Sequence, residues 1–259
     1  MLNFSTIEKR GWEESVFGLI LSFIHWVCDI LTAIYMQFQV CRRKIQTKDS
    51  KAEFESIKNA SQNQLSKTPQ HIALAFLEPD LDLTQVASLI LWSVASGCQY
   101  LSLYDIKGFL KTRRIELIEE LTKLCRQLDS TDRFQLQWST ADNNHLKGNG
   151  RSFTSSNGTV RICLLSREDG QADIVRSAQR LIATANAQIS EETIEAHLTR
   201  LNIDPDLLVR FGLARSNLGY PPWQIRLSEI HDLDSHFCCP NQFVQVLLKY
   251  SRCTQRFGR

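Results

Sequence analysis

Residues 71–77 read HIALAFL, and this short apolar run decides the fold. The run is too brief for a helix and apolar at nearly every position, which is typical of a strand buried on both faces of a sheet. Apolar residues at helical spacing follow from Val86 to Val94, and Gly97 marks the end of that helix. A second strand, YLSLY, is predicted at residues 100–104. Strand, helix and strand in this order predict a βαβ unit with two parallel strands.

The alternation continues along the chain. Further helices are expected at residues 117–128, at 174–182 and from Ser190, and further strands at 134–138, 159–165 and 206–211. This order predicts an α/β fold, an open and mostly parallel sheet with helices on both faces. Ligands of such folds bind beyond the carboxyl ends of the strands. That rule points to the segments around Leu77, Tyr104 and Arg210.

The amino-terminal part of the chain predicts a membrane anchor. Residues 16–36 are almost continuously apolar, about the length that crosses a bilayer core. Residues 42–44, Arg-Arg-Lys, follow directly, so the positive-inside rule places the rest of the chain in the cytosol. A polar stripe along the helix includes Asp29, so spanning the membrane and lying in its interface both stay open. A soluble core helix is the remaining alternative.

These features give three regions. Residues 1–44 form the anchor with its basic flank, residues 45–67 form a polar linker that is partly helical at most, and residues 68–259 form the globular domain. The net charge of +2 gives no reason to expect nucleic-acid binding. The eight cysteines are scattered and lack the paired spacing of a structural zinc site, so no metal site is expected on this chain.

No known nucleotide-binding loop follows the first strand. Residues 77–80 read LEPD, which excludes a glycine-rich dinucleotide or P-loop motif. Glu78 and Asp80 can in principle bind a metal, but two acidic residues beside a proline are more often a solvated turn.

The chain ends in a cationic, glycine-containing tail, residues 255–259, QRFGR. It follows a predicted helix with Phe243, Val246, Leu247 and Tyr250 on one face. Arg256 suits bidentate binding of phosphate oxygens, and Gly258 allows close approach of the backbone to a ligand. The competing interpretation is a frayed terminus.

The segment from Asp204 to Ile230 resembles the cis-prenyltransferase family, whose members elongate polyprenyl diphosphates with isopentenyl diphosphate and Mg²⁺. The matching positions are Asp206, Leu207, Arg210, Trp223, Gln224 and Glu229. The first strand fits as well, because family members begin with His-x-Ala, here residues 71–73.

The departures from the family pattern fall on the groups that bind metal and diphosphate. Leu77 stands six residues after His71, where the family has its catalytic Asp. Ser216 stands where the family has a second diphosphate arginine, and residues 106–110, IKGFL, replace Phe-Ser-x-Glu-Asn. Without a metal ion and cationic groups, the charge of a leaving diphosphate is not stabilised. We therefore expect no complete active site on this chain alone, and expect Arg210 to serve a structural ion pair.

One branch of the family has the same losses, the Nogo-B receptor-like accessory subunits of eukaryotic dehydrodolichyl diphosphate synthase. Residues 211–212, 218–219 and 222–230 resemble that branch, and so do the anchor and the Arg-x-Gly ending. The resemblance implies a non-catalytic subunit in the endoplasmic reticulum membrane, with its domain facing the cytosol. A catalytic cis-prenyltransferase partner would bind Mg²⁺ and condense isopentenyl diphosphate units onto farnesyl diphosphate. The product would be a long-chain polyprenyl diphosphate, the dolichol precursor for protein glycosylation.

The resemblance also assigns roles to residues at two places. Arg256, Phe257 and Gly258 are expected to bind isopentenyl diphosphate, with Arg256 and Gly258 contributed in trans to the partner's site. The residues expected at the subunit interface are Trp223, Ile225, Arg226, Leu227 and Glu229, with core packing as the alternative for Trp223.

Two other functions stay open on the sequence. One is a self-sufficient prenyltransferase that uses Glu78 or Asp80 in place of the missing Asp. The other is a membrane receptor or adaptor without an enzymatic role.

Overall fold

The computed structural model describes residues 17–31, 33–34, 49–128, 134–140, 159–183, 190–198 and 204–254. The chain divides into two compact units, Met1–Lys48 and Asp49–Arg259. In the first unit, residues 17–31 and 33–34 are helical (α1), and their large apolar side chains, such as Phe17 and Leu31, are exposed. In the part of the chain that the structure describes, none of the helices combines the length and apolarity that crossing a membrane requires. The predicted anchor therefore stays a prediction.

The second unit is built on a parallel sheet, as predicted. Its strands are β1 His71–Phe76, β2 Tyr100–Asp105, β3 Gln135–Thr140, β4 Thr159–Leu165, β5 Leu207–Phe211 and β6 Glu229–Leu233. Their order in the sheet is β3-β4-β2-β1-β5-β6, and all neighbouring pairs are parallel.

Most helices of this unit fall close to the predicted places, whereas Ser50–Gln64 lies in the predicted linker and Phe109–Thr112 was not predicted. The helices are α2 Ser50–Gln64, α3 Leu83–Ala95, α4 Phe109–Thr112, α5 Arg114–Cys125, α6 Gln171–Ala183, α7 Glu191–His197 and α8 Pro240–Arg252. Short 3-10 turns span Arg167–Asp169 and Pro222–Gln224.

The first strand separates two apolar clusters because successive side chains point to opposite faces. Ile72, Leu74 and Phe76 enter the larger cluster, which also takes the buried faces of α2, α3, α5 and α8. Ala73 and Ala75 enter a smaller cluster on the other face, with Tyr104 and Tyr220. Burial on both faces explains why HIALAFL is continuously apolar.

Helix α2 corrects the prediction of a linker at residues 45–67. Residues 50–64 form a helix that Asp49 caps, since its carboxylate accepts hydrogen bonds from two backbone N–H groups at the start of the helix. Phe54, Ile57 and Ala60 are buried in the larger cluster. Three apolar residues among many polar ones gave too weak a helical pattern to recognise.

Candidate functional site

The strand order places a switch point between β1 and β5. The chain leaves β1 toward β2 on one side and later returns to β5 on the other, and ligands of open α/β sheets bind in the crevice at such a point. Leu77 and Gly212 are the first residues after these two strands. We call this end of the sheet, where the strands finish, the carboxyl-end edge.

The crevice at the switch point is filled by the chain itself. The backbone N–H of Leu77 donates to the carbonyl of Phe211 at 2.9 Å. Gly212 has a φ of +123°, and a Cβ there would lie 3.3 Å from Cγ of Glu78 and 3.4 Å from Cβ of Leu77. Leu77 itself packs against the smaller apolar cluster. An apolar contact therefore occupies the place of the family's catalytic carboxylate.

Glu78 is hydrogen-bonded to His236. Its carboxylate accepts hydrogen bonds from the backbone N–H of His236, at 2.8 Å, and from ring Nδ1 of the same residue. The N–H of Asp82 donates to the other ring nitrogen, Nε2, at 3.1 Å, so Nδ1 carries the proton given to Glu78. Burial alone would raise the pKa of Glu78, but the hydrogen bonds that its carboxylate accepts from His236 outweigh this effect and hold the pKa below its usual value.

This arrangement does not fit a magnesium site. Mg²⁺ needs carboxylate oxygens with open coordination positions, whereas Glu78 is bound within the chain and Leu77 has no oxygen ligand. Asp80 is exposed, as expected of a solvated turn. Among the described residues, no three His, Cys, Asp or Glu side chains are grouped so that they could hold a metal ion.

Other polar groups at the carboxyl-end edge are also used for structure. Asp105 accepts the backbone N–H groups of Phe109 and Leu110 at 2.6 and 3.0 Å, and so begins α4. Asp169 is buried and paired with Lys111 at 2.5 Å. The residues that replace the family's Phe-Ser-x-Glu-Asn segment thus include the start of a short helix that Asp105 caps.

Arg210 forms the structural ion pair that the sequence predicted. Its guanidinium donates to both carboxylate oxygens of Asp232, at 2.7 and 3.0 Å. A third hydrogen bond, of 3.0 Å, goes to Oδ1 of Asn217. A guanidinium held by three hydrogen bonds on two partners has little capacity left for a diphosphate.

A surface cleft of about 760 Å³ also lies at this edge, lined by Ile106, Arg167, Glu168, Gln171, Ala172, Leu218 and Gly219. Leu218 has a φ of +39°, which a leucine rarely adopts. The hydroxyl of Tyr104 donates to the carbonyl of Leu218 at 2.7 Å and so holds the loop in this shape.

The predicted interface residues lie on and before the edge strand β6. Leu227 and Arg226 are exposed, and Arg226 pairs with Glu191 at 2.6 Å. Trp223 is half-buried, and its indole Nε1 is buried without a hydrogen-bond partner in the described structure. Ile225 is half-buried against the smaller apolar cluster. Their role at an interface stays a prediction.

The tail residues Arg256, Phe257 and Gly258 lie outside the described residues, but the chain just before them is described. Helix α8 ends at Arg252, and Sγ of Cys253 lies 3.2 Å from a carboxylate oxygen of Glu229. Glu229 is the first residue of β6. The chain therefore approaches its tail at the amino-end edge of the sheet, opposite the filled crevice and beside the predicted interface segment.

Comparison with known proteins assigns the family. A family profile described as "Putative undecaprenyl diphosphate synthase" matches residues 82–258, which is more than half of the chain. The chain belongs to this prenyltransferase family. The match extends to Gly258, so it includes the Arg-x-Gly segment.

Two relatives in this prenyltransferase family carry the name of a complex subunit. Dehydrodolichyl diphosphate synthase complex subunit NUS1 of Homo sapiens is 33% identical over 205 residues, covering 75% of this chain and 68% of the relative. The subunit nus1 of Schizosaccharomyces pombe is 26% identical over 264 residues, covering 95% and 94%. These relatives confirm the predicted resemblance to the accessory-subunit branch.

A solved structure of a diphosphate synthase has the same fold. Lavandulyl diphosphate synthase from Lavandula x intermedia aligns with a TM-score of 0.53 and 18% identity, covering 74% of this chain and 99% of that one. At this identity the likeness shows the fold, and it confirms the predicted parallel α/β sheet.

Sequence reasoning missed the partners of several groups that it had singled out. His236 is 158 positions from Glu78, and no local motif links them. Ser66 and Lys67 were part of the predicted linker, yet they contact residues 185 and 186 positions away, at the end of α8. A pair distant in sequence leaves no local pattern, so these contacts required the structure.

Proposed function

We propose that this chain is the non-catalytic subunit of a heteromeric dehydrodolichyl diphosphate synthase. Together with a catalytic cis-prenyltransferase it supports the condensation of isopentenyl diphosphate units onto farnesyl diphosphate. The product is the long-chain polyprenyl diphosphate from which dolichol is made. The names of the relatives support the assignment to such a complex.

One observation carries the non-catalytic role. At the switch point, Leu77 takes the place of the family's carboxylate, and the neighbouring acid, Glu78, is held by His236. Ionisation of an allylic diphosphate needs a metal ion or cations to stabilise the leaving charge. The carboxylate that binds Mg²⁺ is therefore assigned to the catalytic partner.

The tail is this chain's contribution to the partner's site. Arg256 offers a planar, bidentate grip on diphosphate oxygens, and the backbone N–H groups around Gly258 offer further donors. The position of Cys253 beside Glu229, the first residue of the edge strand, favours delivery of the tail across a subunit interface. Residues 223–230 and the open edge of β6 are the proposed contact surface.

The amino-terminal segment is proposed to hold the complex on the cytosolic face of the endoplasmic reticulum membrane. Exposed apolar side chains along α1, including Phe17, Ile20, Phe23 and Leu31, support contact with lipid. Protease protection of microsomes containing the chain tests this orientation, which predicts digestion of the carboxyl-terminal domain from the cytosolic side.

Reconstitution tests the proposed function. The chain, a catalytic cis-prenyltransferase partner and their mixture are each incubated with farnesyl diphosphate, labelled isopentenyl diphosphate and Mg²⁺. We expect no polyprenyl product from this chain alone and markedly more product from the mixture than from the partner alone. Turnover by this chain alone, or a mixture no more active than the partner, would refute the proposal.

A further inference from the structure

Three side chains from two other parts of the chain contact the residues that lead into the tail. We call residues 251–254 the tail root. The hydroxyl of Ser66 donates to the carbonyl of Ser251 at 2.7 Å, and Nζ of Lys67 donates to the carbonyl of Cys253 at 2.7 Å. The thiol of Cys253 contacts the carboxylate of Glu229 at 3.2 Å. Ser66, Lys67 and Glu229 together are called the clamp.

The contact made by Lys67 goes beyond ordinary helix capping. Lysine side chains often bind the last carbonyls of a helix, where the macrodipole is negative. Cys253, however, already lies past the last helical residue, with φ −71° and ψ 130° in the extended region. Lys67 therefore holds the first peptide of the segment that leaves the helix. Its hydrogen bond fixes the direction in which the backbone departs.

The clamp is supported by its surroundings. The ammonium of Lys67 lies 4.6 Å from the centre of the Tyr250 ring, and Tyr250 is buried in the larger apolar cluster. This cation–π contact steadies the lysine above the last turn of α8. On the other side of the tail root, the hydrogen bond to Glu229 raises the pKa of the Cys253 thiol. The thiol therefore stays protonated at neutral pH and can donate to the carboxylate.

We infer that the clamp positions the tail for the partner's site, with Lys67 as its main positioning residue. This inference rests on the proposed function. Arg256 is only three residues beyond Cys253. The effective concentration of a tethered group falls as the flexible length before it grows. Because the clamp holds the backbone at Cys253, the tether before Arg256 is short, and a short tether raises the effective concentration of its guanidinium at the partner's site.

A lysine substitution tests the inference in the assembled complex. Lys67→Met keeps the apolar stem over Tyr250 and removes the charge and the hydrogen bond to Cys253. We expect the KM for isopentenyl diphosphate to rise roughly tenfold with a smaller change in kcat, since a misplacement of about 1 Å can cost up to about 10²-fold. Lys67→Arg keeps the charge and a hydrogen-bond donor, so its KM for isopentenyl diphosphate should stay close to the wild-type value.

A matched control separates positioning from general stability. Asp49→Ala removes the cap at the far end of α2, roughly 21 Å from its carboxyl end at 1.5 Å per residue, and should lower Tm through loss of that cap. This variant should lower Tm about as much as Lys67→Met does. Its KM for isopentenyl diphosphate should stay at the wild-type value. If Lys67→Met lowers Tm while its KM stays at the wild-type value, the inference is wrong. If Lys67→Met fails to fold, Cys253→Ala replaces it as the test variant. We expect its KM for isopentenyl diphosphate to rise roughly two- to threefold. A wild-type KM in Cys253→Ala would also contradict the inference.

A double-mutant cycle gives the sharper readout. If Lys67 acts through the tail, adding Lys67→Met to Arg256→Ala should change the KM by less than about twofold, because coupled residues do not contribute independently. A full tenfold further rise would overturn the inference. A wild-type KM in Arg256→Ala would instead refute the proposed function. A wild-type KM in Lys67→Met beside a defective Arg256→Ala would refute only the clamp.

Discussion

The carboxyl-end edge of the sheet and the tail root use their charged side chains in opposite ways. At the carboxyl-end edge, Glu78 is held by His236, and Arg210 by Asp232 and Asn217. These groups satisfy one another and stabilise the fold. At the tail root, Lys67 and Glu229 contact Cys253, three residues before the cationic Arg256.

The proposed function has this chain serve the active site of another subunit. Charges that pair within the chain hold the loops at the carboxyl-end edge together. Charges at the tail root act on the path of the backbone. The predictions below test each side of this comparison, beginning with the largest expected effect.

Restoring the missing carboxylate should damage the protein without reviving it. Leu77→Asp places a charge in an apolar contact beside Glu78, and burying a partly desolvated, unpaired carboxylate should cost about 2–3 kcal/mol. The measurements are Tm and prenyl transfer by this chain alone, which should stay absent. Leu77→Asn is the control, because asparagine is similar in size to aspartate but uncharged. It should be destabilised less than Leu77→Asp. Activity in Leu77→Asp would show that the crevice lacks only one group.

Glu78→Gln should lower stability by about 1 kcal/mol, because a neutral hydrogen bond to His236 replaces a charge-assisted one. The pKa of Glu78 is lower in the folded chain than in the unfolded chain, where it is about 4.3. The carboxylate's contribution is therefore complete above that unfolded value and lost as pH falls through the folded pKa. Denaturant titrations should show the two proteins converging in stability below about pH 4.

The exposed Asp80 in the same loop supplies the control, since Asp80→Asn should leave the stability at neutral pH close to that of the wild type. A constant difference between Glu78→Gln and the wild type down to acid pH would mean that the link to His236 does not hold this loop.

Arg210→Met should cost about 1 kcal/mol or less through loss of the partly exposed ion pair with Asp232. Complex activity should stay within about twofold of wild type, because the side chain serves the fold. Arg215→Met is the control, since Arg215 contacts the same Asp232 from an exposed position. A tenfold or larger rise in the KM for isopentenyl diphosphate in Arg210→Met alone would indicate a substrate contact.

Alkylation of Cys253 measures the smallest expected effect. The hydrogen bond to Glu229 raises the pKa of this thiol, so less thiolate is present at neutral pH and reaction with iodoacetamide is slow. Glu229→Gln should accelerate modification several-fold, followed by mass spectrometry of the Cys253 peptide. Burial raises the pKa of Cys98 to about 12, so that residue serves as the unreactive internal reference. An unchanged rate at Cys253 would argue against the contact with Glu229.

Much of the sheet could be predicted from the sequence because its central strands are buried on both faces. HIALAFL and the run at residues 159–165 are short and apolar, and helical patterns alternate with them along the chain. Together these features indicate buried strands. The edge strand β6 was missed, since Glu229, His231 and Asp232 interrupt its apolar pattern and only β5 pairs with it. An edge strand has one exposed side, so its sequence is free to be polar.

From the sequence, the candidate site could be predicted for the groups that it lacks and for the ion pair of Arg210. Leu77 and Ser216 revealed missing groups by position alone. The partner of Glu78 and two partners of the tail root could not be predicted, because His236, Ser66 and Lys67 lie 158, 185 and 186 positions from the residues they contact. Long-range hydrogen bonds depend on the packed fold, and the spacing of residues along the sequence does not encode them.

The steady-state kinetics of the complex carrying Arg256→Ala test the central claim most directly. Removing one preorganised charge donor from a diphosphate site should lower kcat/KM for isopentenyl diphosphate by roughly 10²-fold, while the complex assembles normally in size-exclusion chromatography. An assembled complex with wild-type kcat/KM would contradict the account, because the tail would then contribute nothing to the partner's site.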